Sequence, residues 1–228
     1  GGGGLQVTTE GHLHDHLRRI FGCSPEIAAS IGARASDRSF PVRATLLRQG
    51  DRADQTWLLL TGRARALLYG LDGQMVLLHE FAPGDIFGAI DDQDGGAHEA
   101  DIVAVDPSRA AVFLALDFLH LMETHGCVGL AVSRTLLRQL RAATGRMVER
   151  LTLSAAGRVH AELLRLARLG DGRSIRPAPV LAALAVRIDS TRETVSRAIS
   201  ALERRGVVRR EDDALVIVAP QRLEEMVI

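Results

Sequence analysis

Four side chains close together in the last third of the chain carry the most readable chemistry. Arg192, Glu193, Ser196 and Arg197 fall within the run Arg192-Glu193-Thr194-Val195-Ser196-Arg197, and on a helix their spacings of three and four positions gather them on one face. A guanidinium fork can donate two hydrogen bonds to guanine in a DNA major groove, a carboxylate can accept from the cytosine amino group, and a serine hydroxyl can serve either. The same residues also fit a plain solvated face, with Glu193 and Arg197 as an i, i+4 ion pair. What lies on either side of the run has to decide between the two.

The flanking sequence favours the groove-reading arrangement. Residues 180–188 form a short apolar helix, Asp189 can take the left-handed conformation of a tight turn, and Ser190 or Thr191 can cap a second helix running to about residue 204. Ala185 is small where two helices must cross closely, and Leu184, Ile188, Val195, Ile199 and Leu202 supply a shared core. Arg205-Gly206 ends the second helix. Residues 207–210 and 214–218, separated by the acidic turn Glu211-Asp212-Asp213, then read as a β-hairpin wing. Helix, tight turn and capped helix make a helix-turn-helix. On this plan Thr191, Ser200, Arg209 and Arg210 are placed to meet phosphates, while Arg192, Glu193, Ser196 and Arg197 meet base edges.

Net charge is formally zero over the chain, which would argue against a nucleic-acid partner if charge were evenly spread. It is not: residues 154–210 hold twelve Arg against five Asp or Glu. Every basic residue is Arg, and nucleotide composition of the source genome accounts for that choice as well as function does. It does not account for the clustering.

The rest of the chain reads as the support for this head. A helix is predicted at 13–21. Short apolar stretches at 42–47, 56–60, 64–69, 75–81, 102–105 and 110–114, broken by Gln49-Gly50-Asp51, Thr61-Gly62, Leu71-Asp72-Gly73 and Pro83-Gly84-Asp85, read as strands of a compact roll or barrel. Residues 128–151 are helical, with Leu137, Leu140, Thr144, Met147 and Leu151 spaced as the seam of a two-stranded coiled coil. The competing reading of that stripe is a helix packed on its own β domain. Ala155-Ala156-Gly157 offers a break before a helix at 158–169, which stops at Gly170-Asp171-Gly172. The resulting α+β plan has a tail and helix at 1–20, a β-roll at 21–125, a dimerisation helix at 126–153 and a winged helix-turn-helix at 154–228. Gly1–Gly4 is set aside from the fold reasoning.

Several classes of protein are disfavoured. No apolar run approaches the roughly 18 residues of a membrane span, so no membrane partner and a cytoplasmic site are expected. Cys23 and Cys127 are too few for a disulfide framework or a four-cysteine iron–sulfur site, and are read as buried or free thiols. No Gly-rich phosphate loop followed by Lys, paired metal motif or nucleophile elbow marks an enzyme.

Taken together, the chain resembles the cyclic-AMP receptor protein and fumarate–nitrate regulator (Crp/Fnr) superfamily of bacterial transcription regulators. The resemblance runs from the β-roll glycines Gly50, Gly62, Gly84 and Gly88, through the long helix, to the winged helix-turn-helix, and is most specific at Arg192–Arg197. It implies a cyclic-nucleotide-binding-like jelly roll, a homodimer on a palindromic operator of double-stranded DNA, and RNA polymerase as a partner. Arg192 and Arg197 match guanine-reading positions and Glu193 a Glu shared by both branches; Arg192 resembles the cyclic-AMP branch and Ser196 the fumarate–nitrate branch. A TGA core in each half-site is expected, as TGTGA or TTGA.

The sensor half departs from the pattern that the resemblance implies. Ala89 follows Phe87-Gly88 where Glu would hold a ribose, and His98-Glu99-Ala100 stands where Arg-Ser-Ala would bind a cyclic phosphate. Ala143 and Thr144 occupy the helix positions that would meet the base. Glu99, with Asp91, Asp92, Asp94 and Asp101 nearby, repels an anion, so cyclic AMP in the standard mode is not expected. Haem or a metal would have to use His12, His14 and His16, or His120, His125 and Cys127. Surface or core roles are favoured for both groups, for His79 and for His160, and a solvated acidic loop is favoured over a divalent-ion site at 91–101. A second reading is a haem, metal or small-molecule sensor whose winged helix mainly contacts proteins; it predicts weak, non-specific DNA binding that is little changed by Arg197→Ala.

Overall fold

The computed structural model describes residues 4–70, 75–90 and 96–227, with side-chain surroundings from His12 onward. The expected turn at Leu71-Asp72-Gly73 and the acidic residues Asp91, Asp92 and Asp94 lie outside the described residues. The chain divides into two compact units, one of residues 1–68 and 78–142, the other of 69–77 and 143–228.

The first unit opens with two helices, α1 (Gly4–Phe21) and α2 (Pro25–Gly32). Ser24 caps α2, its hydroxyl accepting from the Ile27 amide at 3.3 Å, and Pro25 occupies the first turn, where its missing N–H costs nothing. Eight strands follow in the chain: β1 (Ser36–Phe40), β2 (Thr45–Leu47), β3 (Gln55–Thr61), β4 (Ala64–Tyr69), β5 (Met75–Phe81), β6 (Ile86–Gly88), β7 (Asp101–Ala104) and β8 (Ser108–Leu114), of which Tyr69 and Met75–Leu77 are counted with the second unit. They form two four-stranded sheets, ordered β1-β8-β3-β6 and β2-β7-β4-β5. The strands expected at 64–69 and 75–81 have those bounds, and the other four shift by one to three residues at one or both ends.

The run Trp57-Leu58-Leu59-Leu60 shows why the unit holds together. It lies in β3, and its residues are buried on both faces. Trp57 and Leu59 pack with Phe81, Phe87 and Ile102 inside the roll, while Leu58 and Leu60 pack with Leu17, Phe113 and Phe118 under the helices. Period-two alternation thus splits one apolar run between two cores. α3 (Ala115–Thr124) and the part of α4 (Gly126–Thr152) up to Ala142 complete the unit's cover, α4 contributing Val128 and Val132.

One face of α4 is fastened to the roll. Thr135 Oγ1 donates to the Gly84 carbonyl at 3.4 Å, Arg138 Nη2 to Asp85 at 2.6 Å and Gln139 Nε2 to the Ile86 carbonyl at 3.0 Å. The opposite stripe is bare: Leu137, Leu140, Met147 and Leu151 are 48%, 63%, 57% and 78% exposed, and Thr144 is exposed between them. The stripe itself is therefore not packed on the β domain of its own chain, whereas the other face of the helix is.

Cys23 and Cys127, expected as thiols, are joined as a disulfide, with Cα atoms 5.8 Å apart. The physical reason is tertiary. Packing of α1 and α2 against the first turn of α4 brings together residues 104 positions apart, which no local pattern announces.

The second unit contains α5 (Ala155–Arg168), β9 (Ser174–Ile175), α6 (Leu181–Arg187), α7 (Arg192–Arg204), β10 (Val208–Arg210), β11 (Leu215–Ile217) and α8 (Pro220–Glu225). Ala155-Ala156-Gly157, expected as a break, is instead the first turn of α5, with Ser154 as its cap accepting from the Gly157 amide at 3.0 Å. Gly157 is small for packing: a Cβ on it would stand 2.6 Å from the Val227 carbonyl oxygen. The helices and the β10-β11-β9 sheet enclose one core that includes Leu184, Ala185, Ile188, Val195, Ile199 and Leu202.

Candidate nucleic-acid interface and effector cavity

The α6–α7 turn is built as its residues dictate. Asp189 takes a positive φ of 53°, a conformation that Asp tolerates better than bulkier residues. The Ser190 amide donates back to the Ala185 carbonyl at 2.9 Å, and Thr191, not Ser190, caps α7 by accepting from the Thr194 amide at 3.2 Å. Val195, Ala198, Ile199 and Leu202 fill the buried face of α7. That burial turns the opposite face outward: Arg192, Glu193 and Arg197 are exposed, and Ser196 and Ser200 half-buried. Among the described residues, no ion pair engages Arg192, Glu193 or Arg197, so their polar groups stay available to a ligand.

A polar clamp that the sequence reading missed holds this turn in place. Arg158 donates from Nε to the Ile188 carbonyl at 3.0 Å and from Nη1 to the Leu153 carbonyl at 3.2 Å. Arg150 pairs with Asp189 at 3.6 Å. Glu162 is only 2% exposed, and its carboxylate accepts from Arg187 Nε at 2.5 Å and from Arg165, so two guanidinium groups meet one buried charge. The available signal was Glu162 itself, a carboxylate beside Val159, Leu163 and Ala167 on the apolar face of α5. His160 is buried and bonded through Nδ1 to the Met226 carbonyl at 2.9 Å, a packing role.

The wing pairs β10 with β11 in antiparallel register, Arg209 opposite Val216 and Arg210 opposite Leu215. Both arginines are exposed, and both carry a carboxylate partner: Glu211 lies 3.0 Å from Arg209, and Glu203 lies 2.8 Å from Arg210. Exposed pairs of this kind are weak and exchange readily for another anion.

In the first unit the roll encloses a cavity of about 920 Å³ whose lining includes Phe81, Phe87, Gly88, Ala89, His98, Glu99, Ala100, Leu136 and Gln139. Gly88 ends β6 with φ of 91°, and a Cβ there would stand 2.3 Å from the Gln55 carbonyl oxygen. The Ala89 carbonyl accepts from Thr56 Oγ1. Burial holds the His98 imidazole below its ordinary range, against the opposing pull of Asp51 and Asp54. Asp101 is occupied in accepting from the Gln49 amide at 2.7 Å. Among the described residues, no guanidinium lines the cavity, while Glu99 does. Ala143 and Thr144, expected to meet a base, are not in this lining; α4 presents Leu136 and Gln139 there instead. The rotation of α4 is set by burial of Val128, Val132 and Thr135, which a sequence count along the helix does not register.

The histidine groups are separated from any thiolate. Cys127 Sγ is bonded to Cys23, His16 Nδ1 meets Arg19 Nη2 at 2.8 Å, and His120 Nε2 lies 3.4 Å from Thr124 Oγ1. No group of three metal-ligating side chains forms among the described residues.

Residues 37–125 match the cyclic nucleotide-binding domain, and residues 157–226 match the Crp-like helix-turn-helix domain. A cyclic AMP receptor protein of Thermus thermophilus is 31% identical over 91% of this chain and 95% of its own. The chain belongs to the Crp/Fnr family. A CRP-like cAMP-activated global transcriptional regulator of Mycobacterium tuberculosis is 26% identical over 89% of this chain and 92% of its own. The fold is shared with solved structures, including a CooA variant from Carboxydothermus hydrogenoformans, with a TM-score of 0.75 and 17% identity over 93% of this chain and 95% of that one. As a Crp/Fnr protein this chain is a DNA-binding transcription regulator, and α7 is the second helix of its family helix-turn-helix. At the positions where a cyclic phosphate would call for a cation or converging donors, the described lining holds Ala89, a His98 whose imidazole burial keeps below its ordinary range, and Glu99. No helix among the described residues is long and apolar enough to cross a membrane.

Proposed function

We propose that this Crp/Fnr regulator works as a cytoplasmic homodimer on an inverted-repeat operator with TGA in each half-site, and that its effector is not cyclic AMP held by the phosphate. The observation that carries the reading is the outward trio Arg192, Glu193 and Arg197, exposed on a capped helix and without ion pairs among the described residues. Arg192 and Arg197 read guanines, Glu193 accepts from a cytosine amino group, and Ser196 completes the base-edge set. Thr191, Ser200, Arg209 and Arg210 hold phosphates. The exposed stripe from Leu137 to Leu151 supports pairing of two α4 helices, which would set the spacing of the half-sites. RNA polymerase is the partner through which such a regulator would act.

Selection of binders from random duplexes by the full chain, with and without cyclic AMP, tests the proposal. The expected product is a two-fold symmetric site containing TGA, recovered equally under both conditions. An asymmetric or featureless product would overturn the operator, and enrichment only with cyclic AMP would overturn the effector reading. Weak, sequence-independent binding that is indifferent to Arg197→Ala would return the protein-contact alternative.

The wing has its own signature. Neutralising Arg209 and Arg210 together should weaken all duplexes alike and flatten the dependence of log affinity on log salt by about 2. Fluorescence anisotropy across a salt series measures it, and a loss confined to one sequence would contradict the phosphate role.

A further inference from the structure

Cys23 and Cys127 are the only cysteines in the chain, and the fold joins them. Cys23 sits in the short connection between α1 and α2, and Cys127 in the first turn of α4. The bridge therefore fastens the N-terminal helix pair to the start of the helix that carries the exposed stripe.

The unit does not depend on this bond for a core. Leu13, Leu17, Phe21, Ile31, Phe118 and Val128 pack around it in a cluster that continues into β3 and β8. Small secreted domains use disulfides where a core is too small, whereas disulfides of cytosolic proteins are usually transient and redox-sensing. The second description fits, and it rests on the proposed reading of the chain as a regulator working in the cytoplasm.

Both cysteines line open grooves, although Cys23 is itself buried and Cys127 half-buried, which makes Cys127 the more accessible end of the bridge. Cys127 lines a groove of about 750 Å³ with Arg19, Arg134 and Arg138, and Cys23 lines one of about 740 Å³ with Arg18 and Arg19. Asp85 in the first is paired with Arg138, leaving Asp15 as the acidic side chain of the second. An attacking thiolate is an anion, and this basic margin favours its approach.

We propose that Cys23–Cys127 is a reversible thiol–disulfide exchange site, opened by dithiol reductants in the folded protein, and that its opening loosens α1 and α2 from α4. One thiolate of the dithiol attacks a bridge sulfur, the S–S bond breaks, and the other cysteine leaves as a thiolate and takes up a proton. The second thiol of the dithiol then displaces the remaining cysteine and closes a cyclic disulfide. Two electrons pass from dithiol to protein. A low-molecular-weight disulfide reverses the step.

The test uses the full chain purified without reductant. Native protein is treated with dithiothreitol, alkylated and weighed intact, and amide exchange is followed in both forms. The expected result is no label before reduction and two after it, unchanged far-UV circular dichroism, exchange in residues 4–32 faster by at least about tenfold, unchanged exchange in α5–α8, and full reversal by oxidised glutathione. The Cys23→Ser, Cys127→Ser double variant should exchange like the reduced form and ignore dithiothreitol; if it does not fold, thiol counting on the native chain still decides. Labelling only in denaturant, two thiols that no disulfide oxidant closes, unchanged exchange at 4–32, or collapse of the whole chain on reduction would each overturn the proposal. Operator binding is measured in both forms: its absence in both would count against the DNA reading while leaving the thiol count to stand.

Discussion

Leu140→Glu combined with Met147→Glu should leave each chain folded, convert the protein to a monomer, and lower its affinity for an inverted-repeat operator by about 10²- to 10⁴-fold, the range over which linking two sites adds avidity. Both side chains are more than half exposed on the single chain and neither belongs to a core cluster, so the substitutions remove little packing from it. Two facing stripes would instead bring four carboxylates together in an apolar seam, where charge is costly. Sedimentation gives the oligomeric state, and anisotropy on full and half operators separates avidity from contact. Half-site affinity should be unchanged, and a variant that keeps full operator affinity would end the case for pairing through α4.

The base-reading face gives the second large effect. Arg197→Ala and Glu193→Ala should each cost about 1 to 3 kcal/mol of discrimination at one base pair, or roughly 5- to 150-fold between the preferred base and its replacement. Neither should lower stability, because neither side chain enters the core or an ion pair among the described residues. Binding to duplexes altered at one position per half-site measures the loss. Equal weakening on every duplex would move these residues to the phosphate-contact role.

How much of this was legible in the sequence follows from how local each signal is. The α6–α7 turn was readable because its determinants sit within about a dozen residues: Asp189 for the positive φ, Thr191 for the cap, and Val195, Ile199 and Leu202 for the buried face. β1 and β6 were not. β1 is largely exposed with no apolar alternation, and β6 has only three residues, so pairing with β8 and β3 defines them, not their own composition. The same holds for the Cys23–Cys127 bond and for Arg158, whose partners lie on other elements. The effector cavity was half legible. Gly88, Ala89, His98, Glu99 and Ala100 do line it, but the helix residues that reach it depend on how α4 is rotated about its axis.

That rotation gives the three bonds from α4 to the roll a wider meaning. Thr135, Arg138 and Gln139 grip Gly84, Asp85 and Ile86 in the same order, so the strand end forming one wall of the cavity and the helix surface beside it are geared together tooth by tooth. Gln139 and Leu140 are neighbours in the chain, set about 100° apart around the axis. Ile86 and Gln139 both line the cavity, so one hydrogen bond joins the cavity wall to the helix whose far side carries Leu137 and Leu140.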